Sequence, residues 1–396
     1  MSRPPILACL ALALAVTSCC LPRHAGPHPE LLGQPPLEPT RRAQEMAALA
    51  FVSYVGETLE GTDAEVEATL VSCIEKEISL QPLLRDRWQL VWGPAVYRFT
   101  DAVLDDNMMY VVRDIERPET LVVGVRGTNA SAILDWLVED LEVLRTEAWQ
   151  WQRGAPDLQP RISEGTAKGL TILRQMKPTT GAGAGTTLER FLAGQVEHEE
   201  VRSVTVVGHS LGGALAPALG LYLEDTRQNW DPADRATVAV WGFAGPTPGD
   251  ADFASYYDAR LGASTQRVHN PFDIVPHAWQ KDQMERIPGL YRPRIKPPFG
   301  LGEAVCLAID LTERHHYTQQ LQDAPPTRGH IFTGVPGYLK QVGCQHTCGY
   351  YRALDLVVWD SSTGKYTQHL KPISVDCKDF QPEPRCDLCP GWGGDS

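Results

Sequence analysis

One serine stands where the chain is set to turn sharply from strand into helix. Val204-Thr-Val-Val-Gly208-His209-Ser210-Leu211-Gly212-Gly213 runs a β-branched segment straight into Gly-x-Ser-x-Gly, and helix-forming residues follow. A turn of this kind lifts the serine hydroxyl clear of the sheet. Gly208 and Gly212 fit because a side chain at either place would collide with the strand or with the departing helix. The five-residue pattern alone is common; the strand before it and the helix after it make it a candidate nucleophile elbow. The plainer alternative is a glycine-containing turn with an inert serine.

A lone serine hydroxyl is a weak nucleophile. It needs a histidine base, an acid to orient that histidine, and donors for the oxyanion. At an elbow of this type the chain order is serine, acid, histidine. Asp273 follows the strand-like run Gln266–His269, where a loop at the carboxyl edge of a sheet would carry it to the elbow. Its alternative role is a turn aspartate capping local backbone. Asp250 sits in a Pro-Gly turn better suited to opening a helix. For the base, His346 lies in Gly343-Cys-Gln-His346-Thr-Cys-Gly, which reads as a loop opening a short helix. A late loop before a final helix is where such folds present their histidine. His330 is the second choice. His277 is only four residues from Asp273 and reads as a structural neighbour, while His315 and His316 fall in a polar segment. His209 points away at the elbow and reads as structural. The Leu211 N–H supplies one oxyanion donor by elbow geometry. Thr128, just after the apolar run Leu121–Val125, supplies the second. In residues 131–141, Ile133, Trp136, Leu137, Asp140 and Leu141 trace a helix with a large apolar side and acidic groups elsewhere, either a lid or an ordinary packed helix.

The elements that must hold these groups alternate along the chain. Strands are expected at Trp88–Trp92, Met109–Val112, Leu121–Val125, Val204–Val207, Thr237–Phe243 and Gln266–His269. Helices are expected from Arg41 and from Thr62, where Glu65 completes a capping box, and near Ser163–Gln175, Leu188–Val196, Leu211–Asp225 and Asp250–Arg260. Nearly all-apolar strands alternating with helices predict an α/β fold with a mostly parallel sheet. No internal repeat is present. Thr179–Thr187 reads as a flexible loop; it lacks the Lys and the entering strand of a phosphate cradle. Arg292–Gly300 reads as a proline-rich surface loop, and 377–396 as a Cys-, Pro- and Gly-rich tail.

The chain has 396 residues and a net charge of −13, which argues against a nucleic-acid partner. Residues 1–18 read as an export signal: a short basic start, an apolar run too short to span a bilayer, then Val16-Thr-Ser-Cys19. That ending resembles the bacterial lipoprotein box, in which Cys19 would receive lipid; a plain secretory signal is the alternative. Residues 19–40 read as a tether, and 41–376 as the folded domain. Beyond Cys9 and Cys19, eight cysteines remain, an even number that suggests disulfides in an exported chain. Cys344-x3-Cys348 and Cys386-x2-Cys389 lack a convincing set of four metal ligands, so no metal and no cofactor are expected.

Together these motifs resemble the class 3 lipase family, whose members share the α/β-hydrolase fold. The match rests on Val125-Arg-Gly-Thr128 with Asp135-Trp136, the Ser-Glu-Gly-Thr-Ala stretch at 163–167, Gly-His-Ser-Leu-Gly-Gly at 208–213, Trp241–Pro246 with Gly249-Asp250 and Phe253, Phe272–Pro276, and Gln345-His346. The resemblance implies metal-free hydrolysis of acyl esters of lipids. It implies Ser210 as nucleophile, Asp273 as orienting acid, His346 as base, and Thr128 with Leu211 as oxyanion donors. A phospholipase A1, a feruloyl-type esterase and a non-catalytic lipid-binding lipoprotein are the alternatives. The sequence departs from the family pattern in two places. Thr247 follows Pro246 where the family has Arg, and a long hydrophilic insertion spans about 280–336.

Overall fold

A computed structural model of the chain describes residues 35–57, 59–98, 107–127, 141–198, 201–360 and 365–368. The export signal, most of the tether, Thr128, residues 131–140 and the C-terminal tail lie outside the described residues.

A six-stranded sheet forms the centre. Its strands are β1 (Trp88–Tyr97), β2 (Asn107–Asp114), β3 (Thr120–Val125), β6 (Ser203–His209), β7 (Thr237–Phe243) and β8 (Thr265–Val268), in that spatial order. A short hairpin, β4 (Thr146–Ala148) and β5 (Arg161–Ser163), lies outside the sheet, as does a terminal hairpin, β9 (Val357–Asp360) and β10 (Lys365–Gln368). β1 and β2 pair antiparallel, and β2 pairs antiparallel with β3. From β3 through β6 and β7 to β8 every pairing is parallel.

Both faces are covered, which explains why these strands read as near-continuous apolar runs. On one face lie α1 (Arg41–Val52), α2 (Asp63–Leu80) and later α9 (Cys348–Ala353), packed on Met108, Tyr110, Val122, Val207, Phe243 and Val268. On the other lie α3 (Glu164–Gln175), α4 (Leu188–His198), α5 (Leu211–Asp225) and α6 (Ala251–Leu261), packed on Met109, Val111, Val123, Val204, Val206 and Val240. The odd–even split of β2 residues between the two cores is the period-two geometry of a strand. Asp250 is the N-cap of α6, accepting from Phe253 N, and Thr62 with Glu65 forms the expected capping box on α2.

Two expectations change. The segment 179–187 is a loop but a fastened one. Glu67 of α2 accepts from the Thr179 and Thr180 amides, and Gly93 N donates to Ala182 O at 3.0 Å. The insertion at 280–336 is not a hydrophilic excursion. It builds its own core from Met284, Ile287, Leu290, Tyr291 and the buried stripe Leu301, Val305, Ile309 of α7 (Leu301–Thr312). That core closes against Phe272, Ile274 and Val275 of the Asp273 loop. Within the insertion, Arg292–Gly300 does lie at the surface.

Candidate active site

The carboxyl ends of the parallel strands gather the candidate residues, as expected for ligand-binding α/β sheets. β6 delivers Ser210 and β8 runs into the Asp273 loop. Ser210 has φ 61° and ψ −129°, a backbone region that non-glycine residues avoid. It is held there by its N–H donating to Phe243 O at 3.0 Å and its carbonyl accepting from Gly213 N at 2.8 Å. Space forbids side chains on either side. A Cβ at Gly208 would lie 2.1 Å from Gly212 O, and one at Gly212 would lie 2.5 Å from Val125 O. Both flanking glycines are therefore required, for the collision reason read from the sequence. Leu211 is the first residue of α5, so its N–H is one of the donors that a helix start leaves without an intrahelical acceptor. The proposed partner donor, Thr128, lies outside the described residues; the described chain leading to it, Val125-Arg126-Gly127, packs directly on the elbow, since a Cβ at Gly127 would lie 2.5 Å from His209 O.

Asp273 and His346 meet, both fully buried. His346 Nδ1 lies 2.8 Å from Asp273 Oδ2. A carboxylate accepts only, so Nδ1 carries the proton, and in the neutral imidazole Nε2 holds the free lone pair. That Nε2 is buried and has no hydrogen-bond partner. The remaining oxygen, Asp273 Oδ1, accepts from Val275 N at 3.1 Å. His346 is not on a loop. It is the last residue of α8 (Tyr338–His346), and Thr347 alone separates that helix from α9.

His346 is set against the elbow by the residue next to the serine. His209 Nε2 lies 2.8 Å from His346 O, and the two rings stand 4.6 Å apart. A carbonyl only accepts, so His209 must carry its proton on Nε2. Nδ1 then shares the Tyr54 hydroxyl, at 3.1 Å, with the His209 carbonyl oxygen, at 3.0 Å. Burial first, and the neighbouring His346 second, push the His209 pKa well below the usual histidine value, so the ring stays neutral. His209 is structural, as its place in the motif suggests, and what it supports is the His346 backbone. No hydrogen bond joins the Ser210 and His346 side chains directly; catalytic contacts are often long without substrate.

Three supporting residues escaped the sequence reading. Tyr350 donates its hydroxyl to Asp273 Oδ2 at 3.0 Å and accepts from Asn270 N at 3.0 Å. Burial, then the Asp273 charge, raise the Tyr350 pKa well above the normal phenol value, so the hydroxyl remains a donor. Asn270 donates from Nδ2 to Gln345 O at 3.0 Å and Gln345 Oε1 at 2.8 Å, and its Oδ1 accepts from Phe272 N. Tyr54 clamps His209 as described. Tyr350 follows His346 by four residues but across the helix break at Thr347, so no helical spacing pointed to it, and Asn270 and Tyr54 gave no signal either. The rival histidines lie elsewhere in function. His277 bonds Gln283 and Pro271 O, His315 bonds Leu144 O, and His330 offers its carbonyl to Gln345. Thr247, where the family pattern has Arg, is buried and donates its hydroxyl to Ala278 O at 2.7 Å, tying the β7 end to the turn after Asp273.

A strained strand-to-helix serine beside a buried His–Asp pair on a mostly parallel sheet defines an α/β-hydrolase. Comparison with known proteins agrees. The class 3 lipase profile matches residues 122–282. A crystal structure of M37 lipase is similar at 31% identity and a TM-score of 0.73, over 79% of this chain and 92% of that one. Phospholipase A1-Igamma2, chloroplastic, of Arabidopsis thaliana is 27% identical over 54% of this chain. Phospholipase A1-II 1 of Oryza sativa subsp. indica is 34% identical over 22% of it. The chain spans only 39% and 20% of those two relatives' lengths. The chain belongs to the class 3 lipase family of carboxylic ester hydrolases.

Proposed function

We propose that the protein hydrolyses acyl esters of lipids through Ser210, His346 and Asp273. The observation that carries this reading is the buried 2.8 Å His346–Asp273 bond, which leaves His346 Nε2 unpaired beside the elbow. Ser210 Oγ attacks the ester carbonyl while His346 Nε2 takes its proton. The developing imidazolium rests on Asp273, and the oxyanion on the N–H groups of Leu211 and Thr128. His346 then protonates the leaving alcohol, giving the acyl-Ser210 ester. Water attacks that ester with His346 again as base, releasing the fatty acid and restoring the serine. No step calls for a metal or cofactor.

A phospholipase A1 activity is the second reading, favoured by the names of the two plant relatives. We also propose that the chain is exported and anchored through acyl chains on Cys19, with disulfides among the remaining cysteines; the signal pattern of residues 1–18 supports this. A panel of triacylglycerol, phospholipid and soluble esters, run with the parent and with Ser210→Ala, tests the activity. The parent should turn over at least one lipid ester and the variant none. Undiminished turnover by the variant would remove Ser210 from the chemistry.

A further inference from the structure

The insertion between acid and histidine carries a surface the active site does not use. Phe299 is 100% exposed, the most exposed large apolar side chain among the described residues. It ends Arg292-Pro-Arg-Ile-Lys-Pro-Pro-Phe299, in which Arg292, Arg294 and Lys296 are all exposed. From Arg286 to Gly302 there is no acidic residue, within a chain of net charge −13. Three prolines keep this run from pairing as a strand, so neighbouring backbone does not cover it.

The helix that follows is apolar beyond its buried stripe. Leu301, Val305 and Ile309 face the insertion core, while Leu307 at 41% and Leu311 at 44% remain exposed one turn apart. At about 100° per residue, Ala304 and Leu311 adjoin the buried stripe on one flank; Leu307 lies farther round, with Glu303 one turn before it and Asp310 three residues after it. A cationic run, an aromatic tip and an apolar helix flank make the combination that seats a protein in the headgroup region of an anionic bilayer.

We propose that Phe299, Leu307 and Leu311, with Arg292, Arg294 and Lys296, form a docking surface for an anionic lipid bilayer. It deepens the lipid-ester reading and rests on it for its purpose, because the insertion is fastened to the acid loop. Tyr291, one residue before the cationic run, donates its hydroxyl to Phe272 O at 2.9 Å, next to Asp273. The segment that carries the surface is thereby joined to the loop that carries Asp273. Bilayer contact through this surface is independent of any acyl chain on Cys19 and orients the domain, which a flexible tether does not.

The test uses the full chain carrying Cys19→Ser, so that no acyl anchor contributes, and measures sedimentation with vesicles. Phosphatidylcholine vesicles containing phosphatidylglycerol are compared with phosphatidylcholine alone. The surface predicts binding to the anionic vesicles that weakens strongly in ~0.5 M salt. Phe299→Ser should lower the partition coefficient roughly tenfold. The triple variant Arg292→Gln/Arg294→Gln/Lys296→Gln should lose the preference for anionic lipid. Both variants should keep parental turnover of a soluble short-chain ester, which shows that they fold. Absent binding by the parent, or equal binding by Phe299→Ser, overturns the proposal. So does a parental dimer that Phe299→Ser dissociates, which would make the patch an interface between copies. Vesicle binding by a parent that cleaves no ester would uphold the surface and overturn the hydrolase reading.

Discussion

Replacing Asn270 by alanine removes, in one step, the side chain that ties the acid loop to the histidine helix. Asn270 is 1% exposed. Its amide bonds Gln345 O at 3.0 Å and Gln345 Oε1 at 2.8 Å, and its carbonyl oxygen accepts from Phe272 N at 3.0 Å. Alanine leaves the Phe272 N–H and the Gln345 carbonyl buried without these partners. Each such group costs about 1–3 kcal/mol, with water entering the vacated volume recovering part of it. The expected loss is about 3 kcal/mol, which a domain of ordinary stability survives. Denaturant unfolding reads it directly. The loss of the tie also lets Asp273 and His346 drift relative to Ser210, and a displacement approaching 1 Å costs on the order of 100-fold in rate. Turnover of a soluble ester should therefore fall roughly 10- to 100-fold, mostly in kcat. Gln345→Ala alone removes only the 2.8 Å contact from this set. In the double variant the two costs should fall short of additive by about 1 kcal/mol. Additivity within about 0.3 kcal/mol, or a cost for Asn270→Ala below about 1 kcal/mol, would refute the reasoning.

Three further outcomes follow from the geometry. Gly212→Ala forces a Cβ to 2.5 Å from Val125 O and 3.0 Å from Gly127 N, both backbone atoms, so it should cost about 1–3 kcal/mol and abolish turnover; a normal melting temperature would contradict this. Tyr350→Phe strips a donor from Asp273 and leaves Asn270 N unpaired, predicting about 1–3 kcal/mol of lost stability and a lowered kcat, read by denaturant titration and steady-state kinetics. His277 is held neutral, its pKa lowered to about 4 chiefly by burial. The unfolded chain binds that proton from about pH 6.5 downward and the folded chain does not, so stability should fall between about pH 6.5 and 4, by up to ~3 kcal/mol. His277→Gln should flatten the pH–stability curve in that window, and an unchanged slope would reject the assignment.

Much of the frame was readable from residue pattern alone. The runs Leu121–Val125, Val204–Val207 and Thr237–Phe243 are apolar except at Thr205 and Thr237 because both sheet faces are covered, and this property marks them in the sequence as buried parallel strands. The elbow was readable because glycine at 208 and 212 answers a local steric demand. What failed was long-range or masked by composition. Gly343 made the His346 segment resemble a loop, but its Cβ position is open space and the helix runs through it. The insertion looked hydrophilic because Arg, Lys and Pro are interspersed with its core, and the Leu301, Val305, Ile309 period emerges only once α7 is known to be a helix. Asn270, Tyr350 and Tyr54 act across 75, 77 and 155 residues of sequence, a separation over which no periodicity speaks.

The most direct test is covalent. The parent protein, treated with a fluorophosphonate and digested, should carry the phosphonyl group on the peptide containing Ser210. His346→Ala should label far more slowly, and Ser210→Ala not at all. A folded parent that cleaves esters yet carries the label on another residue, or none, would contradict the assignment of Ser210 as the nucleophile.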